Sequence, residues 1–105
     1  MIKFVAATEQ DKAYLLDLRL KTMVEHLENQ GLFLSLEQHQ ARVAEHFENS
    51  HLVLNDGQCV GAAKFIVSDK TISLLQLQIA PKEQGKGLGT QVLDALKAQT
   101  SEINL

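Results

Sequence analysis

Apolar residues return along this chain at two different periods, and the change of period organises the whole sequence. Ile2–Ala7 is short and β-rich and predicts an opening strand. From Thr8 onward the spacing becomes helical. Leu16, Leu20, Met23 and Leu27 recur three and four residues apart, which places them on one face. Thr8 with Asp11 three residues later makes a capping-box start, and Gly31 supplies a stop. Leu32-Phe33-Leu34 is a short apolar bridge. Ser35 and Gln38 form a second capping-box pair. Leu36, Val43 and Phe47 then predict the buried face of a second helix ending near Asn49.

At His51 the period shortens to two. His51–Leu54 and Gln58–Val67 read as strands, and Asn55-Asp56-Gly57 between them is a strong hairpin signal. Ser68-Asp69-Lys70 makes another turn. Thr71–Ala80 predicts a longer strand, with Leu75, Leu77 and Ile79 on one face and Leu74, Gln76 and Gln78 on the other. Pro81 ends it, because proline cannot donate to the ladder. A third helix is expected from about Gly87, with Leu88, Val92, Leu93 and Leu96 facing inward. Glu102–Leu105 reads as the start of a further strand. The order is β-α-α-β-β-β-α, an α/β arrangement around a mixed sheet, in a single domain over residues 1–105 with no repeat or linker.

Composition narrows the function classes. The 105 residues carry a formal net charge of −3, and their ten Lys and Arg side chains form no basic run. That argues against nucleic acid or an anionic membrane surface as a partner. No apolar run is long enough to cross a bilayer. The N-terminus lacks the basic region and long apolar core of a signal peptide, and the single cysteine cannot form an internal disulfide; both point to the cytoplasm. Cys59, beside Val60 in a strand-like stretch, is expected to be a buried inert thiol. His26, His39, His46 and His51 read as surface or half-buried residues. His39 and His46 could share a helix face, but they have no third ligand for a metal. Glu25, Glu28 and Glu45 read as solvated helix residues.

The chemistry is concentrated in Gln84-Gly85-Lys86-Gly87-Leu88-Gly89-Thr90, which comes after a strand and opens a helix. At such a junction several backbone N–H groups lack an intrahelical partner, and the helix dipole adds partial positive charge. Together they make an anion site. Glycines at alternate positions let the backbone curl and let a phosphate come close. Thr90 could add a hydroxyl donor, and Lys86 a charge. The spacing fits neither a Walker A loop, which needs Lys followed by Ser or Thr, nor the dinucleotide fingerprint G-x-G-x-x-G.

Gln84-x-x-Gly87-x-Gly89 resembles the Q/R-x-x-G-x-G/A motif of the GCN5-related N-acetyltransferases. Leu77-Gln78-Ile79-Ala80-Pro81 is similar to that family's fourth strand with its common proline, and the order of preceding elements also resembles the family. The resemblance implies that Gln84, Gly85, Lys86, Gly87, Leu88, Gly89 and Thr90 surround the pyrophosphate of acetyl-CoA, with backbone donors from Gly85–Thr90. It implies that Leu77, Gln78 and Ile79 pair their main chain with the pantetheine arm. An N–H near Ile79 would polarise the thioester carbonyl toward an attacking amine. The first two helices, around Met23–Leu34, would help form the acceptor site, where Glu25, His26 and Glu28 could attract a cationic amine or simply face solvent.

The family fold continues beyond the position of Leu105, with further strands and a helix that often carries a tyrosine acid. By this resemblance the chain is expected to be truncated, with a homodimer covering its exposed edge. Tyr14 is expected to be a packing or surface residue. Gln76 and Gln78 stand where some members have a basic glutamate, and an amide cannot act as a base. The general acid, the general base and the amine acceptor are left unassigned. A catalytically incompetent acetyl-CoA-binding or dimerising module is the competing expectation.

Overall fold

The computed structural model describes residues 1–99 and 102–104, the last three by backbone alone. Five strands form one sheet in sequence order: β1 (Ile2–Ala6), β2 (Ser50–Asn55), β3 (Gln58–Ser68), β4 (Thr71–Ile79) and β5 (Glu102–Asn104). β1 to β4 are antiparallel to their neighbours, and β5 is parallel to β4. Three helices accompany the sheet: α1 (Lys12–Asn29), α2 (Leu36–Ala44) and α3 (Leu88–Lys97). Leu105, the last residue of the expected further strand, lies outside the described residues. Among the described residues, no helix is long and apolar enough to cross a membrane.

The local signals act as their chemistry dictates. The Asp11 carboxylate accepts from the Thr8 N–H at 2.8 Å and from its hydroxyl at 3.1 Å. A short 3-10 turn, Glu9–Asp11, leads from there into α1. At the far end Gly31 takes φ +83°. The Leu32 N–H then reaches the Leu27 carbonyl at 2.8 Å and the Gly31 N–H reaches that of Glu28 at 3.0 Å, which is a Schellman closure. Ser35 and Gln38 cap α2 reciprocally, at 2.8 and 3.1 Å. Asp56 and Gly57 both adopt positive φ between paired Asn55 and Gln58. That is the geometry a two-residue hairpin turn requires.

Two apolar clusters flank the sheet. On one face Val53, Val60, Ala63, Phe65 and Ile72 pack with Leu88, Val92 and Leu96 of α3. On the other, Leu15 and Leu18 of α1 meet Ala62, with Tyr14, Val43 and Phe47 beside them. The inward set predicted for α3 is borne out for Leu88, Val92 and Leu96, and Leu93 is half-buried.

Three side-chain assignments differ from the sequence reading. In α1 the most buried stripe is Leu15, Leu18 and Arg19, while Leu16, Leu20, Met23 and Leu27 are only half-buried. The helix carries more leucines than one face can hold, so the spacing alone fits two stripes. In α2, Leu36 is 55% exposed and the buried residue is His39. That helix also stops at Ala44, and His46 in the left-handed region turns the chain into a 3-10 turn, Phe47–Asn49. Cys59 is exposed, since it lies just after the hairpin turn and before the chain enters the core at Val60.

β4 also departs from simple alternation. Lys64 pairs with Gln76 and Phe65 with Leu74, which leaves Leu75 as a bulge. An extra residue reverses the facing of everything after it. Ile72, Leu74, Leu77 and Ile79 therefore all point to the α3 side. Leu74, not Leu75, shares a face with Leu77 and Ile79, and Leu75 is 44% exposed. Gln76 and Gln78 are turned to the α1–α2 side.

Candidate active site

β4 is covered unevenly on the side away from β3. β5 pairs only with Thr71, Ile72 and Ser73. From Leu74 to Ile79 that edge has no partner strand among the described residues. Six residues of strand span about 20 Å of unpaired main chain. Leu77, Gln78 and Ile79 lie on this stretch, held from behind by Ala63, Ala62 and Gly61 of β3. Gly61 is required there. A Cβ on it would lie 2.1 Å from the Gln78 carbonyl oxygen and 3.1 Å from the Ile79 Cα.

The chain turns directly from this edge to the start of α3. Ala80 stays tied to the sheet by its N–H on the Val60 carbonyl at 2.8 Å, and Pro81–Glu83 form a 3-10 turn. Gly85 and Gly87 then take φ of +82° and +76°. Gly87 is the residue before the first turn of α3, and its carbonyl accepts from Gln91 at 3.2 Å. No backbone carbonyl among the described residues accepts from the N–H groups of Gly85–Thr90. A Cβ built on Gly85, Gly87 or Gly89 meets nothing within 4 Å. The loop thus presents unpaired donors to an open approach, at the positive end of a ten-residue helix.

The side chains of the loop contribute less than its backbone. The Gln84 amide turns back to donate to the Ile79 carbonyl at 3.0 Å, bracing the loop on β4. Lys86 pairs with Glu83 at 3.1 Å across an exposed surface, an arrangement that contributes little. Leu88 is part of the core, so only its N–H faces the loop's concavity.

On the opposite face of β4 the structure assembles two residues absent from the sequence expectations, Arg19 and Lys64, with His39, which was expected at the surface or half-buried and is instead buried. Arg19, His39 and Lys64 are 5%, 3% and 8% exposed. The Arg19 Nε donates to His39 Nδ1 at 3.0 Å, joining α1 to α2. The Lys64 ammonium donates to the backbone carbonyls of Arg42, at 3.1 Å, and Glu45, closing the end of α2. Arg19 and Lys64 line a cavity with Ser50, Gln76 and Gln78. A signal was present: Lys64 interrupts an apolar strand, and Arg19 lies at helical spacing from Leu15.

Burial holds the His39 imidazole below its usual pKa, and the neighbouring Arg19 charge adds to this against a smaller opposing pull from Glu28. His51 is lowered by burial as well, against backbone hydrogen bonds at Asn49 and Ala63. Its ring stacks on Phe65 with centroids 4.0 Å apart. A base held below its unfolded pKa of about 6.5 takes up protons more readily in the unfolded chain. Stability from these residues is therefore complete above that pH and is lost as the pH falls below it. We expect the melting temperature to drop between pH 7 and pH 5, and the drop to shrink in His39→Gln. An unchanged drop in that variant, followed by circular dichroism, would remove His39 as its source.

Tyr14 is half-buried against the Leu15–Leu18–Ala62 cluster, as a packing residue would be. Burial, and then the Cys59 thiol, raise its phenol far above the usual range. Glu25, His26 and Glu28 lie on α1, outside the cavity lined by Arg19 and Lys64. Among the described residues, no group of three His, Cys, Asp or Glu is placed to hold a metal ion.

The sequence profile of the acetyltransferase (GNAT) family matches residues 12–104. Solved structures share the fold at low identity. An acetyltransferase from Thermus thermophilus superposes with a TM-score of 0.70 at 18% identity, covering 98% of this chain and 71% of that one. The PaiA N-acetyltransferase from Thermoplasma acidophilum, in complex with coenzyme A, gives 0.60 at 14%, covering 94% and 72%. N-acetylglutamate synthase from Neisseria gonorrhoeae, complexed with coenzyme A and N-acetyl-glutamate, gives 0.57 at 20%, covering 93% of this chain and 22% of that one. No curated protein matches the chain.

Proposed function

The chain belongs to the acetyltransferase (GNAT) family, and on that premise we propose that it transfers an acyl group, acetyl in the first instance, from coenzyme A to an amine nitrogen. The observation that carries this reading is the continuity of the unpaired β4 edge with the glycine-lined start of α3. An elongated ligand with an anionic middle fits that path. Its amide-bearing arm would lie along Leu77–Ile79 as an added strand. Its pyrophosphate would meet the N–H groups of Gly85–Thr90, with Thr90 able to add a hydroxyl. Two structural neighbours hold coenzyme A, which supports an acyl-CoA as the ligand.

The coenzyme supplies an acyl group activated as a thioester. What the chain supplies is position and polarisation. A fixed N–H near Ile79 would steady the negative charge that develops on the carbonyl oxygen. The amine nitrogen bonds to the carbonyl carbon, the carbon–sulfur bond breaks, the nitrogen loses a proton and the sulfur gains one.

One observation favours a second reading. The side chains beside the expected reaction centre are Gln76 and Gln78, which cannot take that proton. A domain that holds acyl-CoA without turning it over would look the same. Titrating acetyl-CoA by calorimetry and then assaying thiol release against a panel of amines separates the two. Binding with amine-dependent thiol release is the expected result. Binding alone favours the second reading, and no binding removes both.

A further inference from the structure

A buried hydrogen-bond donor without an acceptor usually marks a missing partner, and one such donor lies in a cavity between α1, β3 and β4. Arginine carries five N–H donors. Arg19 spends one of them on His39, and no acceptor among the described residues meets its terminal nitrogens. Gln78 Nε2 is buried without a partner and lines the same cavity. Lys64 lies beside them with its ammonium already seated on α2 carbonyls. No carboxylate among the described residues answers this charge at close range. Glu45, which pulls on both cations from a distance, turns its own carboxylate outward toward Arg42 at 3.6 Å. Burial and neighbouring positive charge weaken the hold of Arg19 and Lys64 on their protons. A desolvated cation without a counter-ion is costly.

We propose that this cavity holds the carboxylate of the acyl acceptor, with Arg19 as its principal host, so that the acceptor is a small amine bearing a carboxylate. The inference rests on the acyl-transfer reading above and adds the substrate class to it. Cavity size favours a carboxylate over a larger anion. The cavity's volume is about 30 Å³, room for about two waters or for two carboxylate oxygens. The remainder of the molecule has a place to go. An outer cleft of about 200 Å³ shares Lys64 and Gln76 with the cavity and opens beside Leu75, at the bulge of β4. An amine there lies against the same strand whose unpaired edge is the proposed coenzyme path. The acidic residues Glu25 and Glu28 lie outside this cavity, so the substrate class differs from the cationic acceptor they suggested.

The test needs no turnover. Acetate and acetamide, then β-alanine and β-alaninamide, are titrated into the protein while the Arg19 Nε and Gln78 side-chain resonances are followed by NMR. The carboxylates are expected to shift both and to bind at least about tenfold more tightly than the matched amides. Arg19→Gln should erase that preference and Arg19→Lys should keep part of it. Amides binding as well as carboxylates, or a preference that survives both Arg19→Gln and Lys64→Gln, would overturn the proposal. If Arg19→Gln does not fold, the wild-type comparison decides alone. Acetyl-CoA is titrated separately. Its failure to bind, with carboxylate binding intact, sinks the acyl-transfer reading and leaves the anion site standing.

Discussion

Gly89→Asp is expected to abolish acyl-CoA binding in a protein at least as stable as the wild type. The two effects have opposite signs for one reason. Gly89 is the second residue of α3 and a Cβ built there meets nothing within 4 Å. Its backbone is not in the left-handed region, so a side chain brings no strain. A carboxylate in the first turn favours the helix dipole, and losing a helical glycine helps too. Together they should add about 0.5–1 kcal/mol of stability. The same carboxylate points into the space where the pyrophosphate is proposed to lie. Like charges about 4 Å apart near a protein surface repel by about 4 kcal/mol, so affinity should fall at least about a hundredfold. Gly89→Ala serves as the control, with the stability gain and little loss of binding. Thermal melting and calorimetry on the three proteins decide the matter. Wild-type affinity in Gly89→Asp would show that the loop holds no phosphate.

The second large effect comes from the opposite end of the coenzyme path. Gly61→Ala should destabilise the domain by about 2–3 kcal/mol, a fall in melting temperature of at least about 10 °C for a chain of this size. The added methyl would sit 2.1 Å from the Gln78 oxygen and 3.1 Å from two further backbone atoms. No rotamer can relieve a clash with main chain, so β3 and β4 must move apart. They would do so at Gln78 and Ile79, which are proposed to bind the pantetheine arm. Acyl-CoA affinity should therefore fall along with stability, whereas a core truncation remote from β4 would lower stability alone. A Gly61→Ala protein that melts like the wild type would mean that the strands already have room.

Much of the fold is readable from the sequence because its signals are local. The Ser35–Gln38 cap, the Gly31 stop and the Asp56-Gly57 turn each depend on a few adjacent residues, and each forms as its chemistry predicts. The glycine loop is readable for the same reason. The cationic cavity is not. Arg19, Lys64 and Gln78 come from α1, β3 and β4, and their meeting depends on how α1 rotates and where β4 slips. The helix rotation is hidden because leucines occupy more than one stripe of α1. The strand facing is hidden because a bulge leaves no residue signature of its own: Leu75 looks like any other strand leucine. His39 reads as a surface or half-buried residue because nothing in α2 announces a buried partner on a different helix.

The slip at Leu75 ties two parts of the molecule into one inherited unit. Ahead of it, Ile72 and Leu74 face the α3 core; behind it, Leu77 and Ile79 do the same, while Gln76 and Gln78 face the cationic cavity. Losing or gaining one residue near the bulge would exchange those roles, putting amides into oil and leucines against Arg19. Core and pocket therefore share a single reading phase, and a lineage of this protein cannot alter the length of that strand by one residue without rewriting both.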